Sequence, residues 1–471
     1  MSSQVTVVPV FDFEQVDCTK SSEVHLDVIL SAPEKENEKR IPLHLSLALD
    51  CSGSMQGSKL KSVQDTVCTL IDHLTENDTV NIIGFSQQVF DVIKTLPMTQ
   101  ANKQVAKDKV LALHHMGATN LSQAIIMAGE YAVTADKDKI SRIILLTDGL
   151  PSGAGITDKP TLIKMCGEIN KSVSLSTFGY GNDYDPELLA SMANMGRGNN
   201  FYIEKDEDCR GAFALELGGL LSLYAQDIKV TVTPSGNMSI KEFLSGYAFE
   251  QTAGYRGITE GKLSYTVDDI YVGEKKHALI KFSVPSASEA VCARKTSVCA
   301  IEIDYFDVET KNQVSMRVMA KIQYVKAGKA SKEVNEEIKK QLLMIEAAKI
   351  QKEVKDKADA GDYVGARTSA LAGIQLGQQN GWFDNSKALV DNFSCLAENV
   401  GSRFDYATRG LKMATAYSTS YAKGRAGNMG SIGTSYSSSV QQDMLKSFSS
   451  GGNSDGNVIS SSSADADDEN V

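Results

Sequence analysis

The segment Asp50-Cys51-Ser52-Gly53-Ser54 carries oxygen-bearing side chains at alternate positions. Alternate residues of an extended chain point to the same side, so the Asp50 carboxylate and the Ser52 and Ser54 hydroxyls can converge on one point. Gly53 lets the backbone turn tightly between them. Such oxygen atoms are hard ligands, which suit Mg²⁺ or Mn²⁺ and bind Ca²⁺ less tightly. The segment therefore predicts part of a divalent-cation site.

Two further oxygen donors stand at the ends of other predicted elements. Thr119 lies just before a helix predicted over 121–133, and Asp148 follows the apolar run Ile143–Leu146, separated from it by one threonine. In an open α/β sheet the loops at the carboxyl ends of the strands meet in one crevice. We therefore expect one site to be shared by Asp50, Ser52, Ser54, Thr119 and Asp148.

The elements that must position these residues alternate between 41 and 225. Near-continuous apolar runs, typical of strands covered on both faces, are separated by segments of helical periodicity. Such alternation favours βαβ units and a mainly parallel sheet. The predicted fold class is α/β, with a doubly wound, Rossmann-like sheet.

With these motifs the chain resembles a von Willebrand factor A (VWA) domain. The family's metal-ion-dependent adhesion site has the pattern DxSxS, then a threonine, then an aspartate, and all five members are present here. The resemblance covers roughly 41–210 and includes three further tracts: Asn81–Ser86, Ser176–Gly181 and Asp185–Ile203. The whole layout is also similar to intracellular VWA proteins with a C-terminal helical VWA-interacting region. The RING or Hint domain of some of those proteins has no counterpart here.

The resemblance implies a protein-binding role for the five residues. They would hold Mg²⁺, in part through water, and leave one position of the octahedron open. In relatives an Asp or Glu of a protein partner fills that position. The metal then links two proteins, and no residue is expected to be catalytic or to bind another cofactor.

Outside the VWA-like region the pattern changes twice. Strand follows strand from about 226, which predicts a β-sandwich, and two strands predicted before residue 40 have no partners unless they complete it. Helical periodicity then returns and predicts a hairpin or bundle. The expected divisions are N-terminal strands at 1–40, the VWA domain inserted at 41–225, the sandwich at 226–327, helices at 328–423 and a disordered Ser/Gly-rich acidic tail at 424–471, in which Val440–Phe448 has the apolar content of a short docking helix.

Composition excludes several classes of function. The 48 basic and 59 acidic residues give a net charge of −11, which argues against nucleic acid as the main partner. No apolar run is long enough for a transmembrane helix, and the N-terminus lacks the features of a signal peptide. The eight cysteines form no CxxC pair, so zinc and redox motifs are unsupported. These features predict an intracellular, cytoplasmic protein.

Three functions remain open at this point. The first is a non-enzymatic module that captures a partner's acidic side chain through Mg²⁺. The second is a scaffold that acts mainly through its C-terminal helices, with the metal serving stability. The third, a metal-dependent hydrolase or phosphatase, is least favoured because hydrolase, zinc-protease and phosphate-loop motifs are missing. Asp183 and Asp185 fit a second cation site or ordinary turn chemistry.

Overall fold

Three strands open the chain. The computed structural model describes residues 4–34, 40–136, 138–153, 155–169, 173–181, 183–252, 261–292, 294–331, 333–415 and 439–449. Two strands were expected in the first forty residues, and the third is too short to show an alternating pattern. The strands are β1 (Thr6–Phe11), β2 (Gln15–Asp17) and β3 (Ser22–Ser31).

The central α/β unit alternates strands and helices. Its elements are β4 (Leu43–Asp50), α1 (Ser58–His73), β5 (Thr79–Phe85), β6 (Val89–Pro97), α2 (Gln100–Leu111), α3 (Leu121–Ala132), β7 (Ile140–Thr147), α4 (Lys159–Glu168), β8 (Val173–Tyr180), α5 (Pro186–Met195), β9 (Arg197–Ile203) and α6 (Asp206–Leu221).

These strands form one six-stranded sheet in the order β6-β5-β4-β7-β8-β9. Only the β5–β6 pair is antiparallel. The central strands β4 and β7 are buried along their whole length because helices cover both faces. Helices α1, α2 and α6 pack on one face, and α3, α4 and α5 pack on the other. The doubly wound, mainly parallel α/β fold is confirmed.

Strands that precede and follow this unit in the sequence form a two-layered β-sandwich. Two later strands, β11 (Ser239–Phe243) and β15 (Lys275–Val284), join β1 and β3 in a four-stranded sheet of order β1-β3-β15-β11. Strand β2 lies at the edge of the larger sheet. The chain therefore leaves the sandwich after β3 and returns to it after α6, which confirms the predicted insertion. The later strands are β10 (Leu223–Pro234), β11 (Ser239–Phe243), β12 (Phe249–Gln251), β13 (Leu263–Val267), β14 (Ile270–Tyr271), β15 (Lys275–Val284), β16 (Lys295–Asp307) and β17 (Asn312–Val325).

The C-terminal region is helical, with α7 (Glu336–Asp359), α8 (Tyr363–Gln379) and α9 (Ser386–Glu398). Gly361, at a φ of +82°, ends the first arm of the hairpin, and the Asp362 carboxylate caps the second by accepting from the backbone N–H of Gly365 at 2.8 Å. A short helix, Arg403–Asp405, continues into a π-helical turn, Tyr406–Gly410.

One last helix, α10 (Ser439–Ser449), packs against α6. It corrects the prediction of disorder throughout 424–471 in favour of the docking helix. The other residues of that predicted tail, 424–438 and 450–471, lie outside the described part of the chain.

A buried ion cluster joins the α/β unit to the sandwich. Arg142 on β7 is fully buried and donates to the Asp269 carboxylate, in the turn between β13 and β14, at 2.5 Å. Its Nε lies 3.5 Å from the carboxylate of Glu216 on α6. Because buried charges are costly without partners, these contacts fix the two units against each other.

Candidate metal centre

The first loop of the candidate site begins at the last residue of β4. Asp50 is buried, and its Oδ1 accepts a hydrogen bond from the backbone N–H of Ser52 at 2.7 Å. The backbone N–H of Cys51 donates to the Phe85 carbonyl at 2.7 Å, and the Cys51 side chain is fully buried. The loop then forms a 3₁₀ turn, Gly53–Met55, before α1 begins. The DxSxS motif thus begins at the carboxyl end of a buried central strand.

Ser54 links the two acidic loops. Its hydroxyl lies 3.0 Å from the Ser52 hydroxyl and donates to Oδ1 of Asp148 at 2.6 Å. Asp148 follows β7, the parallel neighbour of β4, so the two loops emerge side by side. The two serines of the DxSxS motif and the aspartate that follows β7 therefore lie together.

Thr119 reaches the same place from a third loop. The carbonyl of Gly117 accepts from the backbone N–H of Gly53 at 3.0 Å, so this loop packs directly on the first. A methyl group added at Gly149 would lie 3.4 Å from the Thr119 hydroxyl and 3.6 Å from the Ser54 hydroxyl. The two hydroxyls therefore border the same small space beside Gly149.

Burial dominates the electrostatics of Asp50. It raises the pKa of this carboxyl to about 6, against hydrogen bonds from Thr147 and Ser52 that favour the charged form. The Asp148 charge raises that pKa further. Two neighbouring buried carboxyl groups thus repel each other, and a cation between them would relieve that repulsion.

The structure adds two residues that the sequence analysis did not select. The Thr147 hydroxyl donates to Oδ2 of Asp50 at 2.5 Å, and the Lys59 ammonium lies 2.6 Å from Oδ2 of Asp148. Thr147 precedes Asp148 directly, so a search for hydroxyls beside acidic residues would have selected it. Lys59 lies in the first turn of α1, and its role depends on how that helix packs on the second loop.

The alternative cation residues lie at the rim. Asp185 is the N-cap of α5, since its Oδ1 accepts from the backbone N–H groups of Glu187 and Leu188 at 3.1 and 3.0 Å. The Asp183 side chain is 73% exposed and lies 3.9 Å from the Lys59 nitrogen. This geometry favours turn chemistry for the pair. Within the described ranges, no group of three or more His, Cys, Asp or Glu side chains has the geometry of a metal site.

The donor set at the centre fits a hard divalent cation. The two carboxylates together carry two negative charges, which balance those of a divalent cation. The three hydroxyls add neutral oxygen atoms to the same cluster. Mg²⁺ prefers such oxygen donors and retains several waters when few carboxylates bind it. The residues that could hold it are Asp50, Ser52, Ser54, Thr119 and Asp148.

Comparison with known proteins identifies the α/β unit. Residues 44–213 match the family model of the von Willebrand factor type A domain. This chain contains a VWA domain. The VWA domain is a family of protein-interaction modules, generally non-enzymatic and often metal-dependent.

Curated relatives share mainly this domain. Inter-alpha-trypsin inhibitor heavy chain H4 of Bos taurus is 31% identical over 176 residues, which are 35% of this chain and 19% of that protein. The uncharacterized protein YfbK of Escherichia coli is 28% identical over 212 residues, 44% of this chain and 36% of its own. An uncharacterized protein of Synechocystis is 28% identical over 198 residues, 41% of this chain and 45% of its own. The chain thus spans less than half the length of each of these relatives.

Two solved structures share the fold well beyond the VWA domain. A von Willebrand factor type A protein from Catenulispora acidiphila has a TM-score of 0.64 at 17% identity, covering 82% of this chain and 90% of that one. VWA2, an ArnB paralog from Sulfolobus acidocaldarius, has a TM-score of 0.56 at 14% identity, covering 89% and 98%. At such identities the likeness concerns the fold alone. None of the helices in the described part of the chain is long and apolar enough to cross a membrane.

Proposed function

We propose that this VWA domain protein binds a protein partner by capturing an Asp or Glu side chain through Mg²⁺ at the candidate metal centre. Mn²⁺ or Ca²⁺ are the other cations that suit the donors. The observation that carries the proposal is the contact of Ser54 with both Ser52 and Asp148, which brings the serines of one loop onto the carboxylate of another.

The charge of the site favours an acidic partner. Asp50 and Asp148 roughly cancel a divalent cation, the hydroxyls add no charge, and the Lys59 ammonium contributes one positive charge beside Asp148. A loaded site is then electropositive. In a site sheltered from bulk water such a charge attracts a carboxylate more strongly than it would at an open surface.

The surroundings of the centre fit a protein partner. Met116, Leu150 and Ile156 are 39%, 56% and 41% exposed and lie on the loops that carry Thr119 and Asp148. The loop that carries Met116 lies against the DxSxS loop, since the backbone N–H of Met116 donates to the Cys51 carbonyl at 2.6 Å. Exposed apolar side chains that cluster beside a site are typical of surfaces that bind another protein.

A catalytic role has less support. Ser52 and Ser54 contact each other and Asp148, and among the described residues no histidine is hydrogen-bonded to either serine. A nucleophilic serine requires a base within hydrogen-bond reach. We therefore propose a binding module and not a hydrolase.

The proposal is tested by titrating the purified chain with MgCl₂ or MnCl₂ in a calorimeter. The wild type and the control Asp183→Asn should bind one cation, and Asp50→Ala and Ser54→Ala should lose most of the binding heat. Acetate and a short Glu-containing peptide are then added as carboxylate probes, with Mn²⁺ relaxation of water protons as the readout. The probes should displace a metal-bound water in the wild type.

Two results would contradict the proposal. One is the absence of cation uptake by a wild-type chain with a normal circular dichroism spectrum. The other is equal cation uptake by wild type and Asp50→Ala. Turnover of phosphoesters that disappears with Asp50→Ala would support the hydrolase instead.

The scaffold remains the alternative, and one surface favours it. Val364 and Leu371 lie one heptad apart on α8 and are 81% and 48% exposed, so they share one face of the helix. If helical contacts dominate, a Val364→Asp/Leu371→Asp variant will lose a captured partner and Asp50→Ala will retain it. An intracellular, cytoplasmic location and the domain limits given above stay predictions.

A further inference from the structure

The C-terminal helix α10 lies on the VWA domain at a surface formed by α1 and α6. Its Phe448 ring is 1% exposed and stacks on the His73 ring at the end of α1, with a centroid separation of 4.7 Å and an interplanar angle of 22°. The Ser447 hydroxyl lies 2.7 Å from Nε2 of the same histidine. At the other end, the Gln441 amide donates to the Leu215 carbonyl of α6 at 3.0 Å. The helix therefore bridges α1 and α6.

Glycine makes the close contact with α6 possible. A methyl group at Gly218 would lie only 2.7 Å from the Cα of Gln441, a distance that side chains do not tolerate. A methyl group at Gly219 would lie 3.2 Å from the Gln441 amide nitrogen. The backbone of α10 thus rests on a small-residue groove, as expected where two helices approach closely.

The sequence of α10 has the spacing of a helix that binds in a groove. Gln441, Met444, Leu445 and Phe448 stand at i, i+3, i+4 and i+7, and the last three join the hydrophobic cluster of α1 and α6. Lys446, on the opposite face, is 78% exposed. This is the pattern by which amphipathic helices dock into hydrophobic grooves.

Chain length allows this helix to leave the groove. The described part before it ends at Thr415, so 23 residues, 416–438, connect it to the body. At about 3.3 Å per residue, this connection spans up to roughly 75 Å when extended. Helices below about 12 residues are marginal in water by themselves, so eleven residues are helical mainly because the groove holds them.

We propose that the groove between α1 and α6 is a binding site for a short amphipathic helix, and that the chain's own segment Ser439–Ser449 occupies it as a releasable strap. The groove would be a second interaction site, on the flank of the VWA domain and independent of the metal centre. Its ligand presents an aromatic anchor at the last inward position and a small polar contact at the first.

The experiment uses the full chain and a fluorescein-labelled peptide of residues 437–451. The tethered helix competes with the peptide at a high effective concentration, so the wild-type chain should bind the peptide weakly. Phe448→Ala releases the strap and leaves the groove intact, so it should bind the peptide at least about tenfold tighter in fluorescence anisotropy. The control Lys446→Ala, on the exposed face, should behave as wild type.

Two further variants separate a binding site from simple packing. Adding Gly218→Ala to the Phe448→Ala chain places a methyl group against the peptide backbone, and it should abolish peptide binding. A peptide that itself carries Phe448→Ala should not bind any chain. Addition of EDTA should change none of these results, so failure of the metal proposal and failure of this one are distinguishable.

Hydrogen exchange gives a test that needs no variant. In the wild type, the amides of 439–449 should be protected, and a large excess of unlabelled peptide should increase their exchange by displacing the strap. The proposal is wrong if the peptide fails to bind the folded Phe448→Ala chain. It is also wrong if excess peptide leaves exchange in the wild type unchanged.

Discussion

Lys59 and Asp148 form a close ion pair beside the candidate metal centre, with 2.6 Å between the ammonium nitrogen and Oδ2 of the carboxylate. The other oxygen of the same carboxylate accepts from Ser54 at 2.6 Å. Asp148 is fully buried, so its charge is stabilised by these partners and not by bulk water. Lys59 therefore sets the charge of the site without supplying an oxygen ligand.

Replacing Lys59 by methionine is expected to strengthen cation binding and weaken carboxylate binding. The variant keeps the length and apolar stem of the side chain and removes the charge that repels a cation. We expect Lys59→Met to bind Mg²⁺ about tenfold tighter, by calorimetry, because like charges a few ångströms apart repel strongly where water is excluded. Acetate should bind the loaded variant more weakly than the loaded wild type.

The control for this prediction is Lys61→Met, also on α1, where the lysine side chain is 60% exposed and pairs with Asp65. Exposed ion pairs interact only weakly, so Lys61→Met should bind Mg²⁺ with the wild-type affinity. Equal Mg²⁺ affinity in all three chains would show that Lys59 has no electrostatic role, while leaving the metal site itself intact.

Thr147→Val is expected to weaken Mg²⁺ binding although Thr147 is not among the proposed ligands. Its hydroxyl holds Oδ2 of Asp50 at 2.5 Å, and valine has nearly the same shape without that donor. Loss of a group that orients a ligand costs about 10- to 100-fold in metal affinity. Calorimetry at constant pH measures this, and the control is Thr69→Val, whose hydroxyl donates to the Asp65 carbonyl of its own helix. An unchanged affinity in Thr147→Val would refute the orienting role.

Arg142→Met is expected to destabilise the fold strongly. It leaves the Asp269 carboxylate buried without the guanidinium that lies 2.5 Å away, and removes the link from β7 to the sandwich. Breaking a buried ion pair on one side costs about 3–5 kcal/mol. Calorimetric unfolding should show a much lower midpoint than in the control Arg317→Met, where a 64% exposed side chain is changed. Comparable midpoints for the two variants would contradict this.

His277 is expected to make stability depend on pH. Burial lowers the pKa of this histidine, but the hydrogen bond that its Nδ1–H donates to the Asp27 carboxylate at 2.8 Å and the charges of Asp27 and Glu337 outweigh it, so the pKa is raised above the usual 6.5. The stabilisation is complete below the unfolded-state pKa and is lost as the pH rises through the higher folded-state pKa. The thermal midpoint of the wild type should therefore fall as the pH rises above the ordinary histidine pKa of 6.5.

In His277→Gln this fall should be smaller, because the titrating group is gone. His115→Gln, which changes an exposed histidine, should retain the full pH dependence. A wild-type midpoint that rises with pH over the same range would reverse the sign assigned to His277.

The sequence by itself determined the fold class and the candidate ligand set. Continuous apolar strands such as Leu43–Asp50 and amphipathic helices between them have periods that favour a mainly parallel sheet with helices on both faces. Parallel strands bring their carboxyl ends to one edge, so residues following β4 and β7 had to be neighbours. The two strands predicted before residue 40, which have no partners of their own, also indicated that the α/β unit is inserted into the sandwich.

Only the tertiary structure decided which other groups act on that set. Lys59 matters because of where α1 packs, and neither its residue type nor its spacing records that packing. Thr147 stands beside Asp148 in the sequence, but only the structure shows that its hydroxyl donates to Asp50. The contact of Phe448 with His73 joins residues 375 positions apart in the chain, and the ion pair of Arg142 with Asp269 joins two domains. Contacts of this kind depend on how whole elements meet in space, whereas the local periodicity that a sequence displays reports only which face of each element is buried.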